Sequence, residues 1–228
     1  MQLSTSQSFT ITPATGYGVI DVKADGVSVG AVTSYLFGNV MANHSISASF
    51  AATPPPPVPV AFPLGLNAGG TQYVDAGGTL YQADRYFTGG ATTSTGVAIQ
   101  GTTDQSLYQT QRYGNFSYAI PAATGNYDLT LRFVETTFSS IGQRVFDVIV
   151  EGKVVLSNLD VFRTAGQNTA LDITFTVNVS DGVLNMGFVP KTGDAQVCAI
   201  LINNSSSSPN NSPQRIKKYI STELRGNQ

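Results

Sequence analysis

The side chains that enzymes use as nucleophiles, general bases and zinc ligands are scarce in this sequence. It contains one histidine, His44, and one cysteine, Cys198. A nucleophile needs a base within reach, and a structural zinc site needs several His or Cys ligands. Because Cys198 lies in an apolar, strand-like run, we expect a buried thiol and not a reactive one. The sequence therefore predicts a protein that is not an enzyme and that holds no zinc.

Two carboxylates, Glu135 and Asp147, are the remaining candidates for catalysis, as the acid and base of a glycoside hydrolase. Both lie in regular strand patterns, which favours a structural role for them. Calcium could use scattered Asp side chains and backbone carbonyls, but the sequence has no D-x-D-x-D-G loop. We therefore expect no cofactor, and a calcium site stays without support.

Aromatic side chains in predicted loops point to a binding function. Sugar recognition combines flat aromatic faces, which cover the C–H patches of a pyranose, with fixed polar groups that meet its hydroxyls. Phe138 follows a predicted strand and precedes a Ser-Ser-Ile-Gly loop, where an exposed aromatic is informative. Tyr86 and Phe87 precede Gly89-Gly90 and are further candidates, although core packing of one of them is the simpler interpretation.

The elements that would position these loop residues are short strands joined by tight turns. Between residues 64 and 202, apolar and polar residues alternate over 127–135, and two more apolar runs follow at 145–150 and 173–179. Asp181-Gly182 predicts a turn into the next strand. No helical periodicity separates these runs. The pattern predicts an all-β fold, an antiparallel β-sandwich with a small β module before it.

Composition divides the chain into five segments. They are a partial β-repeat module (1–52), a proline-rich linker (53–63), the β-sandwich (64–202), a Ser/Asn linker (203–213) and a tail (214–228). Consecutive prolines in the first linker favour a semi-rigid spacer. Helical spacing of apolar residues after Ser212-Pro213 predicts a short amphipathic helix in the tail. A lone helix of this length is marginal in water, so it would need a partner surface.

Charge and hydropathy exclude two kinds of partner. The formal net charge is −2, which leaves no electrostatic footprint for nucleic acid. No apolar run reaches the roughly 18–20 residues of a membrane span. The first residues open directly into a strand-like pattern, without the features of a signal peptide. Charged residues make up 11% of the chain, against about 25% in ordinary proteins, which favours an extracellular or cell-surface protein.

Short motifs in residues 64–202 resemble the malectin family of carbohydrate-binding modules. In chain order they are Leu66-Asn67-Ala68-Gly69-Gly70, Tyr81-Gln82-Ala83-Asp84, Leu107-Tyr108-Gln109-Thr110-Gln111-Arg112-Tyr113-Gly114, Leu131-Arg132-Phe133-Val134-Glu135, Gly142-Gln143-Arg144-Val145-Phe146-Asp147-Val148, Asn158-Leu159-Asp160-Val161 and Cys198-Ala199-Ile200. The resemblance implies a jelly-roll-like sandwich with a sugar site in its loops. It also implies a glycan partner, since the family's best-known ligand is an α-linked glucose disaccharide.

The same resemblance implies which residues would contact the sugar. Tyr113 matches one of two separate tyrosines of the family, and Thr93 stands where the second is expected. The family has a Tyr-Phe pair after the Phe-x-Glu strand, and Thr137 and Phe138 stand at these two positions in this sequence. A late Asp falls at Asp194 or one residue before it. Because Thr93 and Thr137 stand where tyrosines are expected, we expect a weaker site or a different glycan, with Tyr86 or Phe87 as a substitute aromatic. A half-buried tyrosine and a turn former are equally simple interpretations of Tyr113 and Asp194.

The first 50 residues resemble part of an internalin-type B-repeat of bacterial surface proteins. The motifs are Phe9-Thr10-Ile11-Thr12-Pro13, Gly16-Tyr17, Val27-Ser28-Val29-Gly30 and Ile46-Ser47-Ala48-Ser49-Phe50. Two functional hypotheses follow. The chain is a carbohydrate-binding module of a secreted or cell-surface bacterial protein, or it is a structural, adhesive module that has lost the sugar site. The second hypothesis predicts neighbouring domains or self-association as partners.

Overall fold

The computed structural model describes residues 5–53, 58–206 and 210–218. The chain divides into two compact units, Met1–Pro56 and Pro57–Gln228. Strands make up most of the described part of both units, as the sequence predicts. None of the helices in these described ranges is both long and apolar enough to cross a membrane.

The first unit is a small all-β body. Its described strands are β1 (Thr5–Thr10), β2 (Tyr17–Ala24), β3 (Val27–Gly30), β4 (Ser34–Val40) and β5 (Ile46–Ala52). They form a β1–β4 pair and a sheet of order β3-β2-β5. Asp25 and Gly26 both have positive φ, 50° and 82°, which is the primed turn that a two-residue hairpin requires. The buried apolar side chains here are Val22, Ala24 and Phe37, so the core is thin.

The second unit contains the remaining elements. They are β6 (Leu64–Asn67), β7 (Tyr73–Val74), β8 (Leu80–Ala83), β9 (Phe87–Ser94), α1 (Gln105–Tyr108), β10 (Thr110–Pro121), β11 (Gly125–Phe133), β12 (Val145–Val150), β13 (Lys153–Leu159), α2 (Val161–Ala165), β14 (Leu171–Val179), β15 (Val183–Thr192), β16 (Ala195–Val197), β17 (Ala199–Asn204) and β18 (Asn210–Lys218).

These strands form two sheets, as expected for a sandwich. One has the order β13-β12-β15-β10-β16, with β9 also paired to β10, and the other has the order β18-β14-β11-β17-β6-β8-β7. The pairing is antiparallel except between β6 and β8, which run parallel. The alternating run that begins at Tyr127 buries Leu129, Leu131 and Phe133 completely, in agreement with the predicted period of two.

Side chains of both sheets fill the space between them. Phe116 on β10 and Phe188 on β15 occupy paired positions and stack with ring centroids 4.5 Å apart. A smaller apolar cluster includes Tyr81, Tyr108 and Cys198. Burial raises the pKa of the Cys198 thiol to about 12. The prediction of a buried thiol at this position is confirmed.

The tail requires a correction. Residues 214–218, assigned to an amphipathic helix on sequence, lie in β18, where Ile216 pairs with Ile173 and Lys218 with Leu171 of β14. Residues 219–228 of the predicted helix lie outside the described residues. The physical reason is that β14 would otherwise present an unpaired strand edge. A short helix that is marginal by itself cannot compete with a ladder of backbone hydrogen bonds.

Candidate functional site

A polar cleft of about 210 Å³ lies between β9, the start of β10 and the loop after β11. Its lining consists of residues 93–95, Tyr108, Gln109, Gln111 and residues 136–137. Most of these side chains end in a hydroxyl or an amide, and none of the lining residues described is charged. The cleft therefore offers hydrogen-bond donors and acceptors without a net charge.

The first wall of the cleft, which we call the strand wall, is formed by β9 and β10. Thr93 pairs with Gln111, and Ala91 pairs with Tyr113 two residues further along β10. Because paired residues and residues two apart share one face of a sheet, Thr93, Gln111 and Tyr113 lie on the same face. Backbone hydrogen bonds between the two strands hold this wall.

A bulge ends the strand wall after Tyr113. The register of β9 and β10 shifts between Tyr113 and Phe116. Gly90, with φ of 69°, lies so close to β10 that an added Cβ would stand 2.8 Å from the Tyr113 carbonyl oxygen. Glycine is therefore required at this position, because both the backbone conformation and the close approach exclude a side chain. Beyond the bulge, Phe116 and Tyr118 turn into the core.

The second wall, which we call the loop wall, is the segment 136–144, and a buried carboxylate holds it. Glu135 is fully buried, and its Oε1 accepts hydrogen bonds from the backbone N–H groups of Thr137 (2.9 Å) and Phe138 (3.0 Å). Arg144 Nε donates to Glu135 Oε2 at 2.7 Å. Asp160 Oδ2 accepts from the Gly142 N–H at 2.7 Å. Two carboxylates thus fix both ends of the loop.

Phe138, in the loop wall, lies beside the turn that carries Asp194. The Arg144 guanidinium carbon is 5.0 Å from the centroid of the half-buried Phe138 ring, and Arg144 Nη1 donates to the Asp194 carbonyl oxygen at 2.9 Å. At Gly193, an added Cβ would lie 3.6 Å from Phe138 Cε2. The Asp194 side chain is exposed. Arg144 therefore links the ring to the turn that carries Asp194.

A second buried ion pair supports the strand wall from behind. Arg112 donates from Nε (2.9 Å) and reaches with Nη2 (2.8 Å) to Asp84 Oδ2, and its Nη1 donates to the Gly89 carbonyl oxygen at 2.9 Å. Asp84 also accepts from the Gly69 N–H and the Tyr118 hydroxyl. Burial, and then the Asp84 charge, raise the pKa of Tyr118. Asp84 and Arg112 thus tie the segment around Gly69, the turn at Gly89 and strand β10 together.

A model of the malectin domain family matches residues 63–210. The chain belongs to the malectin family. Malectin-A of Xenopus laevis is 36% identical over 129 residues, which are 53% of this chain and 47% of that protein. This chain thus spans about half the length of that relative. Human malectin is 35% identical over 129 residues, which are 53% of this chain and 44% of that protein.

Solved structures share the fold at lower identity. The Bacteroides uniformis β-glucuronidase superposes with a TM-score of 0.59 at 18% identity, covering 89% of this chain and 28% of that chain. The ANX2 ectodomain from Arabidopsis thaliana superposes with a TM-score of 0.57 at 14% identity, covering 91% of this chain and 79% of that chain. The predicted malectin resemblance is therefore confirmed, and with it the coarse class of a carbohydrate-binding module. The internalin-type resemblance of residues 1–52 stays a prediction.

The malectin domain brings together some of the sugar-contact residues expected from the sequence. Thr93 and Thr137 face each other across the cleft as lining residues. Tyr113 is half-buried on the same sheet face as Gln111, and Phe138 follows Thr137 directly, but neither of them lines the cleft. Asp194 lies beyond Phe138. Of these five expected positions, two line the cleft, one on each wall, and three lie outside it.

Tyr86 does not join this group. Its carbonyl oxygen accepts from the Ala119 N–H, six residues along β10 from Tyr113, and its ring packs against the main core. The Arg85 guanidinium carbon lies 4.3 Å from the ring centroid. Tyr86 is therefore not one of the residues that line this cleft, and its role as a substitute aromatic stays a prediction.

The sequence indicates no binding role for six of the lining residues: Ser94, Thr95, Tyr108, Gln109, Gln111 and Thr136. Tyr108 is 2% exposed and donates its hydroxyl to Asp172, while Gln109 Nε2 donates to the Val97 carbonyl oxygen at 2.9 Å. Gln111 is two residues from Tyr113. Period-two spacing on β10 was the signal that would have placed it on the same face.

The groups once considered for catalysis are engaged elsewhere. Glu135 pairs with Arg144, and Asp147 Oδ2 lies 2.8 Å from Lys191 Nζ. His44 Nδ1 lies 2.7 Å from Asp25 Oδ2 in the first unit, where its ring stacks on Phe37. In the described parts of the chain, no three His, Cys, Asp or Glu side chains group as metal ligands would.

Two further clefts lie among the described residues. One, of about 440 Å³, is lined by residues 101–104, Tyr108 and Arg132. The other, of about 300 Å³, lies in the first unit around Phe9, Phe37 and His44. Each contains an ion-paired or stacked side chain that serves the local fold, since Arg132 faces Asp172 and His44 contacts both Asp25 and Phe37.

Proposed function

We propose that the malectin domain binds a neutral glycan at the polar cleft and serves as a non-catalytic module of a secreted or cell-surface bacterial protein. The observation that carries this proposal is the meeting of Thr93 and Thr137 in one cleft. They stand at two positions where the family resemblance expects sugar-contacting tyrosines. In this proposal the site lies where the family resemblance expects it, but threonines stand in place of the expected tyrosines.

The rigidity of the two walls supports the proposal. Binding sites gain affinity when their polar groups are held in place before the ligand arrives. The strand wall is held by a backbone ladder, and the loop wall by Glu135 and Asp160. Phe138 and Tyr113, both half-buried, remain near the cleft as aromatic surfaces for a longer glycan chain.

Glycan-array binding of the full chain tests this function. We expect binding to at least one neutral bacterial, plant or storage glycan, and loss of that binding in Tyr113→Ala and Phe138→Ala. Tyr17→Ala is the matched control, because Tyr17 is an aromatic residue, 51% exposed, in the first unit. Absence of binding to every glycan on the array would contradict the proposal.

A second candidate function is favoured by the surface of the first unit. Ile20, Val27 and Leu36 are 56%, 69% and 59% exposed. Exposed apolar side chains on a unit with so thin a core are typical of a surface that packs against another module. We propose adhesion or assembly through this unit as the alternative. Light scattering over a wide concentration range tests it, and a strictly monomeric chain would count against it.

A further inference from the structure

Gln111 is a buried polar side chain of the cleft that the fold does not use. It is 6% exposed, and its Oε1 has no hydrogen-bond partner among the residues that the structure describes. Its neighbour Gln109, in contrast, is bonded to Val97. Burial of an amide without a partner costs folding free energy, and such groups are retained where function requires them.

The surroundings of Gln111 match the hydroxyl-bearing edge of a sugar. Thr93 stands beside it on β9 and Thr137 on the opposite wall. Threonine hydroxyls both donate and accept hydrogen bonds, and an amide carries both functions on adjacent atoms. Neighbouring hydroxyls of a pyranose offer the same combination. Gln111 Oε1 is itself shielded from solvent, so a rotation of the amide toward the cleft would let a ligand hydroxyl supply the donor that this oxygen lacks.

The charge, the exposed aromatic surface and the volume of the cleft further restrict the class of ligand that it can bind. The described lining carries no charged side chain, so an acidic sugar would enter without a counter-charge. Tyr108 lines the cleft but is 2% exposed, so it offers almost no ring face for stacking. The cleft volume of about 210 Å³ is below the roughly 300–1,000 Å³ of pockets that hold drug-sized ligands, so the cleft suits a single ring.

We propose that Gln111 determines the specificity of this site and that the cleft takes the edge of a single neutral pyranose through hydrogen bonds, without ring stacking inside it. This inference rests on the proposed glycan-binding function. It adds the residue that determines specificity, the size of the bound part of the ligand and the absence of charge on it. Tyr113 and Phe138 contact only the parts of a glycan that extend out of the cleft.

The test uses the full chain and five named probes: the methyl α-glycosides of glucose, galactose, mannose and N-acetylglucosamine, and glucuronic acid. Affinities are measured by NMR titration. We expect at least one neutral glycoside to bind the unaltered chain. Gln111→Met, which keeps the length and removes the polar atoms, loses at least tenfold in affinity while its Tm stays equal or rises. Gln100→Met is the control, since Gln100 is exposed, and its affinity and Tm stay unchanged.

A second variant distinguishes a loss of binding from a loss of folding stability. Thr137 is exposed, and Thr137→Val replaces only its hydroxyl with a methyl group, so we expect a severalfold loss of affinity at an unchanged Tm. A merely structural Gln111 would instead lower the Tm when replaced.

The outcomes separate the two proposals. Unchanged affinity in Gln111→Met, or a Tm lowered by several degrees, overturns the role of Gln111, and array binding lost in Tyr113→Ala still supports the proposed function. Unchanged affinity in Thr137→Val overturns hydrogen-bond recognition across the cleft. Glucuronic acid bound as tightly as the neutral glycosides overturns the charge class. If no probe and no array glycan binds the unaltered chain, both proposals are overturned.

Discussion

The two walls of the cleft are built on different physical principles. The strand wall, β9 and β10, is held by a repeated ladder of backbone hydrogen bonds. The loop wall, residues 136–144, depends on side chains, above all on Glu135, which accepts two backbone N–H groups and pairs with Arg144. A ladder distributes its stability over many bonds, whereas the loop concentrates it in one buried carboxylate. The loop wall should therefore respond to single substitutions far more strongly.

The largest effect is expected at Glu135. Glu135→Leu leaves Arg144 buried without its partner, which typically costs about 3–5 kcal/mol, and it also orphans the N–H groups of Thr137 and Phe138. Urea unfolding measures the loss. Glu135→Gln keeps an acceptor oxygen for the two N–H groups, so it should cost less than Glu135→Leu. Equal losses in both variants would show that the charge, and not the pair of N–H bonds, holds the loop.

The strand wall has its own weak point at Gly90. An alanine there must adopt a positive φ, which costs about 1–2 kcal/mol, and its Cβ would meet the Tyr113 carbonyl oxygen at 2.8 Å, which adds an overpacking cost of about 1–3 kcal/mol. Gly142→Ala is the matched control, because Gly142 has a φ of 86° with no atom within 4 Å of an added Cβ. We expect thermal unfolding to show a larger loss for Gly90→Ala. Equal losses would mean that the bulge relaxes.

Tyrosines restored on the two walls compare them directly. Thr93 and Thr137 are both exposed, so Thr93→Tyr and Thr137→Tyr should leave stability unchanged. Each should tighten glycan binding about two- to tenfold through about 0.5–1.5 kcal/mol of aromatic contact. In a Glu135→Gln background, the gain from Thr137→Tyr should shrink and the gain from Thr93→Tyr should persist. A double-mutant cycle by calorimetry measures this. If both tyrosines tighten binding as much in the Glu135→Gln background as in the unaltered chain, the loop wall does not depend on Glu135.

Sequence reasoning succeeded where burial imposes a regular pattern. The alternation over Leu129, Leu131 and Phe133 predicts β11 because a strand buried on one face requires a period of two. β9 (Phe87–Ser94) has no such pattern, since all its residues are exposed, and it was not assigned as a strand. Residues 210–218 form a strand because they pair with the edge of β14, and no local sequence pattern shows that this edge is available.

The site was predictable only in part for a related reason. Thr93 and Thr137 followed from motif order, and both line the cleft. Gln111 required the register of β9 against β10, which depends on contacts between residues distant in sequence. The local Tyr-Phe-x-Gly-Gly pattern likewise does not show which end of β10 Tyr86 joins, and the structure places it beside Ala119.

The smallest effect is expected at an exposed ion pair that serves as a reference for the buried one. Asp147 pairs with Lys191, whose side chain is 42% exposed. Burial raises the pKa of Asp147, but the Lys191 and Asn158 hydrogen bonds outweigh it and hold the pKa below its ordinary value of 3.8. A lowered pKa in the folded state contributes stability that is present above the unfolded pKa and lost as the pH falls through the folded pKa.

Asp147→Asn should therefore cost about 0–1 kcal/mol at pH 6. The difference from the unaltered chain should shrink as the pH falls below about 4, where the carboxylate is protonated first in the unfolded state and, at lower pH, in the folded state as well. Urea unfolding at several pH values measures it. A loss as large as that of Glu135→Leu would show that solvent exposure does not weaken the Asp147–Lys191 pair. The stability of the loop wall could then not be assigned mainly to the buried Glu135.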